Sequence, residues 1–346
     1  MASVLVLTKD SELIPLAMRL AQDGHFVKVK RMDRACLAGF TNPSYLYNPS
    51  GLLEQFDLVL SNVESSKVGF EERAEKVVVG GGALQEKLED PLYNEKVVVS
   101  LLNQEAKAGK KHKEQIELKV SGWFDGSDWL APHFLHLPCT RLMPGNLGPT
   151  KWMGSVSTPL QVSKFYPTLF LPLQHLLQKA SFTGPFTISL VVCQDQLSSV
   201  WLSGQLHSSD LLAQDELTKE SLFHILFTLG TKSKKLTTLT TLPFYSLTLG
   251  VYYLGKPLSL KVEEAALKHL HFADASREEE GFVIEGKEDP AFLITARGNT
   301  LGEGRRRITR TLANLTSAEE FMYRNDLGED TMWKLGKLRE WGWIDA

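Results

Sequence analysis

The first ninety residues alternate short apolar runs with segments of helical periodicity. Residues 4–7 form a continuous apolar run, residues 13–22 repeat apolar side chains at helical spacing, and residues 56–60 form a later strand-like segment that is apolar except for Asp57. Uninterrupted short apolar runs are typical of strands buried on both faces, and their alternation with helices is typical of parallel α/β units. Residues 1–90 are therefore predicted to form a small parallel α/β unit.

A second pattern follows, in which longer strand-like segments lie between helices. The strand-like segments are residues 116–124, 186–193 and 248–253, and the helical segments include residues 170–179 and 222–229. This pattern predicts a mixed-sheet body over residues 116–260 and a last α/β piece over residues 261–330. The tail contains Trp333, Trp341 and Trp343, which together with Leu335 and Leu338 predict an amphipathic helix docked on the body.

Composition excludes several classes of protein. The chain has 346 residues, enough for two or three domains, and its net charge of −3 gives no general attraction to nucleic acid or to a membrane surface. Its three cysteines, Cys36, Cys139 and Cys193, are too few and too widely spaced for a disulfide framework or a metal cluster. Without a basic segment at the N-terminus or an apolar run of about 20 residues, a soluble cytoplasmic protein is expected.

The segment 120–159 contains the most informative motif. The sequence Gly122-Trp123-Phe124 is followed by a glycine-containing loop over residues 145–154, GNLGPTKWMG. Two further motifs occur in the expected order, Leu88-Glu89 after a glycine triplet and the segment 323–328, YRNDLG. Together these motifs resemble phosphoribosylamine–glycine ligase of the ATP-grasp superfamily, and most closely its divergent members, which tailed phages often carry.

The resemblance implies an ATP-grasp-ligase-like α/β fold with four parts. These are an N-terminal α/β domain over residues 1–90, a connection over residues 91–115, a remnant of the catalytic body over residues 116–260, and a ligase-like C-terminal domain with its tail over residues 261–346. In the family, the lobe that clamps the nucleotide lies between the Leu-Glu motif and the strand before Gly-Trp-Phe. Here residues 90–115, 26 positions, separate Glu89 from Ile116, whereas a folded domain needs roughly 50.

The lobe is therefore predicted to be missing or much reduced, and Lys107 and Lys110 are not assigned as phosphate ligands. The acidic positions that the resemblance implies are also changed. Glu117 is retained, but Ser121 replaces a second carboxylate, and Ser203 or Gly204 stands where a metal-binding carboxylate is expected. Hard divalent cations prefer clustered carboxylate oxygens, so no catalytic residue, metal or cofactor is assigned.

The polar residues that follow Gly204 are not assigned a catalytic or metal-binding role either. Gln205 or His207 lies near the family's amide and arginine positions, and Asp210 lacks its acidic neighbours. His207 is interpreted as a structural histidine, because a single histidine at a strand edge is more often structural than catalytic.

The glycine turn and the arginines predicted to lie near it are suited to an anion-binding site. Backbone N–H groups in a tight glycine turn suit a phosphate or carboxylate, and an arginine adds bidentate contacts. The alternatives are a purely structural turn and, for the two helical arginines, a solvated face. The predicted ligand-binding residues are Arg141, Gly145, Asn146, Gly148, Thr150, Gly154, Arg306 and Arg310.

The resulting functional hypothesis is a catalytically degenerate ligase relative. It binds either a small anionic metabolite, such as a ribose phosphate or nucleotide, or a protein partner, including a second copy of itself. One alternative is an ATP-dependent carboxylate–amine ligase with a rearranged site, and another is a phage structural or accessory protein.

Overall fold

A computed structural model describes most of the chain. The described residues are 1–32, 44–45, 56–63, 78–80, 82–102, 114–194, 196–231, 236–273, 275–278, 281–286, 290–315 and 321–345. Cys36, Lys107 and Lys110 lie outside this set, as do residues 103–113 of the predicted connection. No helix within the described ranges is long and apolar enough to cross a membrane.

The N-terminal part forms a five-stranded parallel sheet, as predicted. Its strands lie in the order β3-β2-β1-β4-β5, and helix α1 (Ile14–Gln22) connects the first two. Strand β1 is almost wholly buried, as expected for a parallel strand covered on both faces. The strands are β1 (Ser3–Thr8), β2 (Phe26–Arg31), β3 (Ser44–Tyr45), β4 (Leu58–Ser61) and β5 (Val78–Val79).

Eleven more strands follow in the described ranges. Eight form a large sheet with the order β10-β9-β6-β7-β8-β11-β16-β13, and three form a small sheet with the order β12-β15-β14. The strands are β6 (Ile116–Phe124), β7 (Trp129–Met143), β8 (Leu147–Leu160), β9 (Gly184–Val192), β10 (Leu197–Ser203), β11 (Tyr245–Val251), β12 (Leu258–Leu260), β13 (Leu270–Phe272), β14 (Ala275–Glu278), β15 (Gly281–Ile284) and β16 (Phe292–Gly298).

The predicted α/β class is confirmed, and the large sheet is antiparallel rather than mixed. Each adjacent pair in it runs antiparallel. Because β16 and β13 pair beside β11, this sheet continues across the boundary predicted between residues 260 and 261.

Helices pack on both faces of this sheet. One core joins the sheet to α3 (Pro91–Leu102), α4 (Leu171–Lys179) and α9 (Thr331–Glu340), and another joins it to the N-terminal unit and α6 (Leu222–Thr231). The predicted docking of the tail agrees with the structure, since Trp343 is 2% exposed and stacks on Phe165 at 5.2 Å. The remaining helices are α2 (Gly82–Glu89), α3 (Pro91–Leu102), α4 (Leu171–Lys179), α5 (Ser208–Asp215), α6 (Leu222–Thr231), α7 (Glu264–Leu267), α8 (Leu301–Ala313) and α9 (Thr331–Glu340).

The segment predicted as a glycine loop is mostly strand. A short 3₁₀ turn, Pro144–Asn146, joins β7 to β8, which starts at Leu147. Gly154 lies inside β8 with φ at 154°, and a Cβ atom there would lie 2.5 Å from the Thr248 carbonyl oxygen. Gly154 is therefore required where β8 pairs closely with β11, since any larger residue would collide with the neighbouring backbone.

We expect Gly154→Ala to lower the free energy of unfolding by roughly 2–4 kcal/mol, because backbone strain and overpacking each cost about 1–3 kcal/mol. Gly336→Ala is the matched control. Gly336 lies within α9 with open space around it, so alanine should raise stability by up to about 1 kcal/mol. Urea unfolding of both variants measures the difference, and equal effects would contradict this role for Gly154.

Candidate functional site

The turn between β7 and β8 already binds a carboxylate of this chain. The Gly145 N–H donates a hydrogen bond to Asp326 Oδ2 at 2.8 Å. Asp326 is itself paired with the Arg324 guanidinium at 2.5 Å, and Arg324 Nη1 donates to the Arg141 carbonyl oxygen at 2.9 Å. The backbone donor that was predicted to bind an external anion thus holds an internal one.

This contact is electrostatically favourable. Burial acts to raise the pKa of Asp326, but hydrogen bonds from Arg324 and from the Gly145 N–H outweigh burial and hold that pKa below its usual range. The Arg324 side chain is 3% exposed and that of Asp326 is 12% exposed. Arg324 and Asp326 therefore fasten the segment 323–328 to the hairpin.

The other predicted ligand-binding residues do not converge on one place. Arg141, Gly148 and Thr150 are exposed on the hairpin, where Arg141 Nη1 donates to the Gly148 carbonyl oxygen at 3.2 Å. Arg306 and Arg310 are exposed on α8. Asn146 joins Gly145 and Arg324 in lining a cavity of about 160 Å³, which neither helical arginine lines. Ligand binding at these residues stays a prediction.

A larger cavity, of about 370 Å³, lies where the N-terminal unit meets the large sheet. Its lining comes from the loop after β1, from the start of α5, and from β6, β8 and the segment after β11. Lys151 and Trp152, within the predicted loop segment 145–154, contribute to it. The lining residues are Ser11, Glu12, Pro15, Lys119, Lys151, Trp152, His207, Ser208, Ser209, Tyr252, Ala273, Pro290 and Leu293.

Topology explains why a cavity forms here. Strand β1 is central in its sheet, with β2 on one side and β4 on the other. In open parallel sheets, ligands bind beyond the carboxyl ends of the strands where the strand order reverses. The loop from Lys9 to Leu13 lies at that end of β1, and α1 begins directly after it at Ile14.

Two lysines provide positive charge at the cavity. Lys119 Nζ lies 3.2 Å from Asp210 Oδ2, and the Asp210 side chain is 4% exposed. Burial alone would raise the pKa of Asp210, but Lys119, together with His136 and His207, holds it well below its usual range. Lys151 Nζ lies 4.9 Å from the centre of the Tyr252 ring, which favours a cation.

One carboxylate also faces the cavity. Glu12 Oε1 accepts a hydrogen bond from the Ser208 N–H, at the first residue of α5, at 3.2 Å. His207 Nδ1 lies 3.6 Å from the same oxygen, and the Glu12 side chain is 42% exposed. Glu12 thus stands at the positive end of the α5 dipole.

Beneath α5 lies a buried polar network that the sequence motifs did not reveal. Trp123 Nε1–H donates to Gln214 Oε1 at 2.7 Å, and Gln214 Nε2 donates to Ser121 Oγ at 2.9 Å. His136 hydrogen-bonds with Ser121 at 2.7 Å and with Ser157 at 2.7 Å. Burial lowers the pKa of His136 to about 4, so the imidazole is neutral at pH 7. Ser121 thus serves as a packing and hydrogen-bonding centre.

The donors needed for Mg²⁺ are not assembled in the described residues. Ser203 ends β10, and the Gly204 N–H donates to Gln85 Oε1 at 2.6 Å. Glu89 is paired with Lys9 at 2.8 Å and accepts from Gln205 at 2.5 Å. Across the described part of the chain, no three histidine, cysteine, aspartate or glutamate residues are grouped as metal ligands. This donor set does not fit a hard divalent cation.

Comparison with solved structures identifies the fold. Phosphoribosylamine–glycine ligase from Thermotoga maritima superposes with a TM-score of 0.69 at 13% identity, covering 94% of this chain and 100% of the other. The fold is that of the ATP-grasp ligases. N5-carboxyaminoimidazole ribonucleotide synthetase from the same organism gives 0.57 at 11% identity, with 93% and 100% covered. The biotin carboxylase subunit of pyruvate carboxylase gives 0.60 at 9%, with 91% of each chain covered.

No protein-family model matches the sequence of this ATP-grasp-like chain, and no curated protein matches it either. The similarity therefore lies in the fold. The expectation of an ATP-grasp-ligase-like α/β structure, made from three short motifs, is confirmed.

We expect Asp326→Asn to lower the free energy of unfolding by about 3 kcal/mol at pH 7, because it leaves the buried Arg324 without its counter-charge. The folded-state pKa of Asp326 is depressed. Its stabilisation is therefore present above the unfolded value of about 3.9 and is lost as pH falls through the folded value. Urea unfolding at pH 7 and at decreasing acidic pH measures the effect.

Glu329→Gln is the matched control, since Glu329 lies 3.3 Å from Arg305 with side chains 65% and 35% exposed. Its removal should cost less than about 0.5 kcal/mol. Protonation of Asp326 at low pH should remove the difference in the free energy of unfolding between Asp326→Asn and the unmodified chain. If that difference is as large at the lowest pH as at pH 7, Asp326 is not the counter-charge of Arg324.

Proposed function

We propose that this ATP-grasp-like chain binds a small anionic metabolite in the 370 Å³ cavity without ATP-driven ligation. The observation that carries the proposal is the pair of lysines, Lys119 and Lys151, that line this cavity beside the start of α5. A lysine ammonium acts as a compact point charge toward phosphate or carboxylate groups. The cavity volume lies in the range of pockets that hold small molecules, about 300–1,000 Å³.

The electrostatics of the surrounding helices support the same ligand class. The cavity lining includes Pro15 in the first turn of α1 and Ser208 and Ser209 in the first turn of α5. The N-terminal end of a helix carries a partial positive charge, so two such ends at one cavity add to the potential of the lysines. Because Asp210 pairs with Lys119, the ammonium is held against the sheet at the edge of the cavity.

The chemical class of the ligand is proposed to be a ribose phosphate or a nucleotide. Two proteins of similar fold are named for a phosphoribosylamine and for a ribonucleotide. At 13% and 11% identity, the names describe the ligands of those two proteins and not of this chain. For this chain they indicate which phosphorylated probes should be tested first.

The absence of ligation rests on the donor set. Phosphoryl transfer depends on positioning and on neutralising charge with metal ions. In this chain Ser121 binds His136 and Gln214, and the Gly204 N–H is bound by Gln85. These positions hold packing contacts where the family resemblance implies carboxylates.

Calorimetric titration with ribose 5-phosphate tests the site. Lys151→Met keeps an unbranched side chain of similar length and removes its charge, so we expect binding to weaken about ten- to a hundredfold. Lys179→Met is the control, since Lys179 is exposed in the last turn of α4 and does not line the cavity. Its affinity should equal that of the unmodified chain.

Arg141→Ala distinguishes the two placements of the site. Arg141 lies on the exposed hairpin, whereas Lys151 lines the cavity. Loss of binding in Arg141→Ala with full binding in Lys151→Met would place the ligand at the predicted glycine turn and contradict the cavity assignment. If the unmodified chain binds neither ribose phosphate nor nucleotide, the protein-partner alternative replaces this proposal.

We also expect no ATP-dependent ligation. With ATP, Mg²⁺, glycine and phosphoribosylamine present, phosphate release should equal that of a no-protein control, because the metal-binding carboxylates are replaced. A coupled phosphate assay measures the rate. Release that requires both glycine and phosphoribosylamine would favour the alternative of a ligase with a rearranged site.

A further inference from the structure

We infer that the Glu12 carboxylate is an internal competitor that weakens anion binding in the cavity. This inference rests on the proposed function, since it concerns the same cavity. Glu12 lies in the loop after β1 and is one of the cavity-lining residues. Its carboxylate occupies the Ser208 N–H at the start of α5, a donor that an external anion would otherwise use.

The contacts of Glu12 are those of a bound anion. Its Oε1 accepts from the Ser208 N–H at 3.2 Å, and His207 Nδ1 approaches the same oxygen at 3.6 Å. A carboxylate at a helix N-terminus is stabilised both by the exposed N–H groups and by the helix dipole. An entering phosphate would seek the same donors, so it must displace the Glu12 side chain or remain beside it.

The charges on the cavity lining explain why Glu12 weakens anion binding. Asp210 partly offsets the charge of Lys119 from 3.2 Å away. Glu12 is a carboxylate on the same cavity lining as both lysines. Its negative charge opposes every anion that enters, and removing that charge would remove the repulsion.

Glu12 can leave without disturbing the backbone. The Glu12 N–H donates to Asp10 Oδ1 at 2.8 Å, and the Ser208 hydroxyl donates to the Glu12 carbonyl oxygen. These two contacts fix the main chain of the loop. The Glu12 side chain is 42% exposed, which leaves room for a rotamer change that withdraws the carboxylate from Ser208.

The account therefore expects a gain of binding from a conservative substitution. Glu12→Gln keeps the shape of the side chain and its oxygen acceptor but removes the charge. We expect Glu12→Gln to bind inorganic phosphate and ribose 5-phosphate about tenfold or more tightly than the unmodified chain at low salt. The gain should shrink as salt is raised, because the removed repulsion is electrostatic.

The experiment is calorimetric titration of the full chain with both probes. Glu12→Asp keeps the carboxylate charge and should not bind either probe more tightly. Glu12→Ala is a second variant that removes this charge. Glu95→Gln removes an exposed carboxylate from α3, outside the cavity lining, and controls for net charge. Thermal unfolding of each variant verifies that it is folded.

The outcomes separate this inference from the proposed function. Tighter binding by Glu12→Gln supports this inference, and it supports the proposed function as well where the unmodified chain binds measurably. Equal or weaker binding by Glu12→Gln, with clear binding by the unmodified chain, overturns the role of Glu12 and leaves the proposed function standing. Absence of binding in every variant overturns both. If Glu95→Gln gains as much affinity as Glu12→Gln, the effect comes from the net charge of the protein, and the inference is overturned.

Discussion

The packing of α5 on a polar face of the large sheet is the constraint on which the site depends. Buried polar groups must be hydrogen-bonded or charge-paired. Beneath α5, Ser121 is hydrogen-bonded to His136 and Gln214, and Lys119 is paired with Asp210. These contacts fix the start of α5 relative to β6, and therefore fix the cavity between the sheet and the N-terminal unit.

Two backbone N–H groups, those of Gly145 and Ser208, donate to carboxylates of this chain, and the two arrangements differ physically. Asp326 is 12% exposed and is paired with a guanidinium that is 3% exposed, so removing it leaves a buried charge. Glu12 is 42% exposed and contacts a backbone N–H and an imidazole. The first arrangement holds the C-terminal motif to the hairpin, and the second leaves the carboxylate accessible to solvent.

Much of the fold could be predicted from local sequence. Strand β6 spans the predicted residues 116–124, and α8 starts at Leu301, where the Thr300 hydroxyl accepts from the Glu303 N–H. Periodicity and capping act over a few residues, so they are visible in one sequence. Three short motifs were enough to indicate the ATP-grasp-like fold because glycines and turns are set by backbone geometry.

The site could not be predicted to the same extent, because its contacts join distant residues. Gly145 and Asp326 are 181 positions apart, and Glu12 and Ser208 are 196 apart. The carboxylates that occupy the N–H groups cannot be recognised from local pattern, and neither can His136 between Ser121 and Ser157. A crystal structure with ribose 5-phosphate tests the central claim most directly. The account predicts the phosphate within hydrogen-bonding distance of Lys151 Nζ in the 370 Å³ cavity, whereas a phosphate bound only at the Gly145 turn would contradict it.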